Sequence, residues 1–122
     1  MKIYESAENY LETILILGQK NGNVRSIDIA NELAFSKPSV SVAMKNLRHA
    51  GHILVDNDGY ITLTQSGRQI AEVIYERHML ISDWFIQLGV SEKTAREDAC
   101  RIEHVISAES FAALKKHVTG QD

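Results

Sequence analysis

Two short stretches of helical periodicity, three residues apart and followed at once by a pair of β-prone runs, restrict this chain more than any other feature. Ser26 can cap a short helix whose Ile29, Ala30 and Leu33 share one face. Ala34-Phe35-Ser36 then separates it from a third helix. Ser36 suits that helix's N-cap, and Pro38 falls in its first turn, where a missing N–H costs nothing. Val40, Ala43, Met44 and Leu47 make a buried stripe, and Gly51 is placed to stop the helix. Ile53-Leu54-Val55 and Tyr60-Ile61-Thr62-Leu63 are strand-like runs joined by the turn sequence Asp56-Asn57-Asp58-Gly59. A helix-turn-helix running into a hairpin is a winged helix.

The flanking segments are helical. Ala7, Tyr10, Leu11, Ile14 and Leu17 recur at helical spacing between Ser6 and Gly18. A long helix starts at Thr64 or Ser66 and reaches about Leu88, carrying Ile70, Val73, Ile74, His78, Ile81 and Phe85, with Gly89 as its end. Ser91 caps a fifth helix, Glu92 to Ile106, and Ser107 caps a sixth through Val118. Their apolar positions (Ala95, Ala99, Ile102, Val105, Ile106, Phe111, Leu114, Val118) need a partner, and a second copy of the chain is the simplest one. The expected architecture is mainly α: a winged helix-turn-helix over 1–64, a long connecting helix over 65–90, and a helical dimerisation region over 91–122.

With 122 residues, 44% hydrophobic and 24% charged, the chain can bury one core or two small ones. The net charge of −3 argues against nucleic acid until it is resolved along the sequence. From Ser36 to Val55 there is no acid, whereas Lys37, Lys45 and Arg48 are basic and His49 and His52 can become so. Opposite its stripe the third helix presents Pro38, Ser41, Val42, Lys45 and His49, with Ser39 and Asn46 at the edge and Ser36 and Lys37 at its head. Hydroxyls and lysines suit phosphate oxygens, and a small apolar group suits a thymine methyl in the major groove. The competing readings are a merely solvated helix face and a protein-interaction module. No apolar run reaches membrane-span length and no signal-peptide pattern opens the chain. The lone cysteine fits a reducing cytoplasm.

Cys100-Arg101-Ile102-Glu103-His104 places a thiol, a carboxylate and an imidazole at i, i+3 and i+4 of the fifth helix, on one face. Three such donors converging suit a divalent cation. Taken singly, Glu12 reads as a surface acid, His78 as a core histidine and Cys100 as a small hydrophobe. A nucleophilic Cys100–His104 pair is the enzymatic alternative, but it lacks an orienting third group and an oxyanion donor. An enzyme is therefore not expected, nor an organic substrate.

Four segments in order, Asn9-Tyr10-Leu11-Glu12, the helix-turn-helix from Asp28 to Ser41, Arg77-His78-Met79-Leu80 and Cys100 to Ser107, resemble the diphtheria toxin repressor family of iron- and manganese-dependent transcriptional repressors. The likeness runs from about Glu5 to Val118. It implies a homodimer that binds double-stranded operator DNA when a divalent metal joins the first helix, the long helix and the first dimerisation helix. By position, the implied ligands are Asn9, Glu12, His78, Cys100, Glu103 and His104. The set is mixed. The manganese-sensing branch has an aspartate at the place of Asn9 and a glutamate at that of Cys100. The iron-sensing branch has the Cys-x-x-Glu-His pattern but a methionine in place of Asn9. The latter's second site has a histidine and a carboxylate where this chain has Arg96 and Ser82, so that site is expected to be absent or rebuilt. A short form without the SH3-like domain is expected. A thiolate among nitrogen and oxygen donors favours Fe2+ over Mn2+, with Zn2+, Co2+ or Ni2+ able to bind in vitro. A metal-independent winged-helix regulator remains the alternative.

Overall fold

The computed structural model describes residues 5–120, so the outermost residues of the two expected end segments, 1–4 and 121–122, lie outside the described residues. Its elements are α1 (Glu5–Asn21), α2 (Ser26–Leu33), α3 (Lys37–His49), β1 (Ile53–Val55), β2 (Ile61–Leu63), α4 (Gln65–Gln87), α5 (Glu92–Val105) and α6 (Ala108–Thr119). The chain divides into two compact units within α4, one ending at Glu72 and the other beginning at Val73.

The N-terminal unit is a winged helix around an apolar core in which Leu11, Ile29, Val40 and Ile53 are almost wholly enclosed. α3 is bounded as its local chemistry requires. Ser36 Oγ accepts the Ser39 backbone N–H at 3.3 Å, and Gly51 follows the helix at φ +82°. Val40, Met44 and Leu47 are buried, whereas Ala43, expected in the same stripe, is half-buried at its margin. In the hairpin Ile53, Leu54 and Val55 pair antiparallel with Leu63, Thr62 and Ile61. Asp56 Oδ1 accepts the backbone N–H groups of Asp58 and Tyr60, each at 2.9 Å, and Gly59 turns the chain at φ +84°. The Ile61 N–H donates to the Val24 carbonyl at 2.7 Å, which ties the wing to the loop ahead of α2.

Three local expectations are corrected. α1 does not stop at Gly18 but runs to Asn21, because a glycine inside a helix costs only about 1 kcal/mol and Gly22, at φ +84°, makes the turn instead. Ser26 is the first residue of α2 rather than its cap. Arg25 occupies the cap position, and its backbone N–H is satisfied by Asp28 Oδ2 at 2.9 Å. His52 does not join the exposed basic face. It is buried, with Nδ1 3.0 Å from Ser66 Oγ, where the start of α4 packs against the turn between α3 and β1. The approach there is so close that a Cβ on Gly67 would stand 2.0 Å from the His52 carbonyl oxygen.

The C-terminal unit holds the later turns of α4 with α5 and α6. Gly89, at φ +102°, reverses the chain after α4. Ser91 and Ser107 cap the next two helices by accepting the N–H groups of Thr94 at 3.4 Å and Ser110 at 3.0 Å. Ala95, Ala99 and Phe111 are buried, while Met79, Ile86, Leu88 and Val105 remain exposed. Among the described residues no helix is long and apolar enough to cross a membrane.

Candidate metal centre

In the C-terminal unit α4 supplies His78 and α5 supplies Cys100, Glu103 and His104. The i and i+3 positions of α5 turn Cys100 and Glu103 to the same side, toward the imidazole. Nδ1 of His78 lies 3.0 Å from Glu103 Oε2 and 3.7 Å from Cys100 Sγ. The three ligand atoms all fall within 4.8 Å of one another. Bonds of roughly 2.1 Å to nitrogen or oxygen and 2.3 Å to sulfur set such atoms about 3.0–3.7 Å apart for angles from square to tetrahedral. The donor set therefore fits a divalent ion in chemistry and spacing.

The electrostatics point the same way. Glu103 is only 1% exposed, and a carboxylate so enclosed needs a compensating cation. Its Oε1 has no hydrogen-bond partner, although His104 Nε2 stands 3.3 Å away. The hydrogen bond to Cys100, then that to Glu103, push the His78 pKa up from 6.5 to about 10 against the opposing effect of burial. A proton on His78 thus serves as the cation of the cluster. The pair suits exchange of that proton for a metal, because a ligating imidazole must be neutral.

Arg77 is the residue that sequence reasoning left without a role. Its Nη1 donates to the carbonyl oxygens of Glu103 at 3.1 Å and Ile106 at 3.0 Å, and its guanidinium lies 5.6 Å from the Phe111 ring centroid. The last carbonyls of a helix lack partners within it, and a cation there is favoured. Arg77 so fastens the end of α5 that carries Glu103 to the turn of α4 that carries His78. The Lys115–Glu76 ion pair, at 3.0 Å, joins α6 to that same turn.

The other expected ligands, Asn9 and Glu12, stand one turn apart on α1 in the N-terminal unit, with Asn9 half-buried and Glu12 buried. Arg96 pairs with Glu92 at 2.9 Å and Ser82 donates to the His78 carbonyl, so both are engaged within their own helices. As for the enzymatic alternative, the nitrogen that meets Cys100 Sγ belongs to His78 and not to His104.

Every residue assigned to the face of α3 is exposed: Ser36, Lys37, Pro38, Ser39, Ser41, Val42, Lys45, Asn46 and His49. Val42 is 60% exposed, an apolar side chain among polar ones.

Comparison with known proteins assigns both halves of the chain to one family. The family model for the iron dependent repressor, N-terminal DNA binding domain, matches residues 2–61, and that for its metal binding and dimerisation domain matches residues 64–120. An uncharacterized HTH-type transcriptional regulator of Methanocaldococcus jannaschii is 34% identical over 113 residues, covering 91% of this chain and 90% of its own. The transcriptional regulator MntR of Escherichia coli is 33% identical over 111 residues, covering 91% of this chain and 72% of its own. Among solved structures, the manganese regulator SloR matches with a TM-score of 0.82 at 27% identity. That match covers 98% of this chain and 55% of SloR, so the chain spans little more than half the length of that relative. The chain belongs to the iron-dependent repressor family, whose members are metal-dependent transcriptional repressors and not enzymes.

Proposed function

We propose that this chain acts in the cytoplasm as a homodimeric repressor whose grip on double-stranded operator DNA is set by a bound divalent metal, Fe2+ in preference to Mn2+. The observation that carries the reading is the convergence of His78 Nδ1, Cys100 Sγ and Glu103 Oε2 beside a buried carboxylate oxygen without a hydrogen-bond donor. His78, Cys100, Glu103 and His104 are the ligands assigned in the C-terminal unit, and the family resemblance adds Glu12 and Asn9 of α1. When bound, the ion supplies fixed positive charge to these donors. Nitrogen and oxygen donors suit manganese and iron alike, and the Cys100 sulfur shifts preference toward the later, softer ion. The face of α3 from Ser36 to His49 is assigned to DNA, with Lys45 and the hydroxyls on phosphate and Val42 on a base edge.

Coupling between metal and DNA is reciprocal: a metal that tightens DNA binding is itself tightened by DNA to the same extent. Moving the protein from mostly inactive to mostly active requires about 10⁴-fold preference for the active state, or about 5.5 kcal/mol. A dimer reading two half-sites would space its recognition helices near one helical turn of DNA, about 34 Å, or a multiple of it.

The test is a DNA-binding titration with Fe2+ and Mn2+ under anaerobic conditions, with and without chelator. Affinity is expected to rise with metal and fall with chelator, more steeply for Fe2+. Affinity indifferent to both would leave a metal-independent regulator, and no affinity at all would leave an interaction module. Glu103→Ala should abolish the response. Its loss of metal affinity should exceed the roughly 10–100-fold expected when only a supporting partner is removed.

A further inference from the structure

Arg25 carries an exposed cation with no acid against it. Its guanidinium carbon sits 4.3 Å from the centroid of the Tyr60 ring. No carboxylate pairs with it among the described residues, and Asp28 is occupied by the backbone N–H of Arg25 itself. Both partners are held in place by their backbones. Tyr60 N–H is bound by Asp56 Oδ1 at 2.9 Å, and the next residue, Ile61, is bonded at 2.7 Å to the carbonyl of Val24, which precedes Arg25. A guanidinium lying over an aromatic face keeps its N–H donors at the rim, pointing outward, in the fork that phosphate oxygens accept.

The position matters as much as the charge. A surface cleft of about 290 Å³ is lined by Ser26 and Ile27 of α2 and by Lys37 and Ser41 of α3. The residue after Arg25 thus borders two side chains already assigned to DNA. We infer that Arg25 binds a DNA backbone phosphate, with Tyr60 as the residue that positions it, so that the contact surface extends from α3 to the base of the wing. The inference rests on the DNA-binding reading above. Charge along the sequence did not disclose it, because Asp28 and Glu32 follow Arg25 closely and the acid-free stretch begins only at Ser36.

The test is fluorescence anisotropy of the Mn2+-loaded full chain on a mixed-sequence duplex of about 30 bp, between about 50 and 200 mM salt. Arg25→Ala and Arg25→Gln are each expected to weaken binding about 3- to 10-fold near 100 mM salt and to reduce the steepness of the log–log salt plot by about 0.9, the share of one phosphate. Tyr60→Leu should produce a smaller loss that Tyr60→Phe restores. Added to Arg25→Ala, Tyr60→Leu should cost nothing more. An unchanged salt slope in both Arg25 variants would overturn the phosphate role. Equal losses from Tyr60→Leu in both backgrounds would overturn the positioning role. If the unaltered chain binds no duplex, the DNA-binding reading falls and this one with it. If it binds and Lys45→Ala flattens its salt dependence while the Arg25 variants do not, this inference alone falls.

Discussion

The two assigned sites differ in how far they are buried. The N-terminal unit encloses large aliphatic side chains, Leu11, Ile29, Val40 and Ile53, and keeps the residues assigned to DNA in solvent on one face of α3. The C-terminal unit likewise encloses large side chains, Ile74 and Ile81, with Ala95 and Ala99, but among them it holds the assigned ligand Glu103, while Val105 and Leu88 stay outside at 75% and 65% exposure. The face assigned to DNA is solvated and contributes little to the core. The centre assigned to metal has one of its members, Glu103, inside the core. A charged interior is poor for stability in isolation, since desolvating an ion pair costs several kcal/mol per ion. Burying Glu103 therefore costs stability that its partner His78, 3.0 Å away, has to offset.

The contrast predicts where truncation hurts most. Leu11→Ala should destabilise the metal-free chain by about 2–5 kcal/mol, because it removes a fully enclosed side chain and leaves a cavity. Lys93→Ala, at an exposed position of α5, should change it by less than about 0.5 kcal/mol. Urea denaturation of both variants measures the difference. Equal effects would mean that the enclosed Leu11 side chain does not carry the stability its burial implies.

The interior of the C-terminal unit can be probed through pH. With its pKa raised from 6.5 in the unfolded chain to about 10 in the fold, protonated His78 contributes stability that is complete below pH 6.5 and lost as pH climbs through 10. As a metal ligand His78 has to give up the same proton, so His78 alone should add up to about tenfold in apparent affinity per pH unit within that window. Melting curves between those limits, with and without Mn2+, should diverge: the metal-free protein weakens with rising pH while the stabilisation by metal grows. His78→Gln should flatten both trends. Curves that stay parallel would show that His78 is not the proton exchanged for metal.

Features set by neighbours in sequence were legible beforehand, and those set by distant backbone were not. The caps at Ser36, Ser91 and Ser107 and the turn from Asp56 to Gly59 depend on side chains within four residues of one another. The Cys100–Glu103 spacing is likewise local, and the family pattern added His78. Gly18 is a weak helix breaker and lies inside α1, which runs on to Asn21. His52 misled because its burial depends on Gly67, fifteen residues later, presenting no side chain to the His52 carbonyl. Arg77 escaped notice because it binds the carbonyls of Glu103 and Ile106, groups that every residue type carries. The Arg25–Tyr60 contact spans 35 positions and follows no period.

The smallest expected effect tests the surface side of the comparison. Lys45 is exposed on α3, away from the core formed by Val40, Met44 and Leu47, so its removal should leave the fold and the metal centre unchanged. If it meets phosphate, Lys45→Ala weakens binding by a similar factor at every DNA sequence and reduces the salt slope by about 1. If it meets a base edge, the loss concentrates at one position of the site, at about 1–3 kcal/mol, and specificity relaxes there. Binding measured at several salt concentrations on a set of singly substituted duplexes separates the two. A position-specific loss would move Lys45 into the groove beside Val42, leaving the phosphate contacts of α3 to Lys37 and the serine hydroxyls.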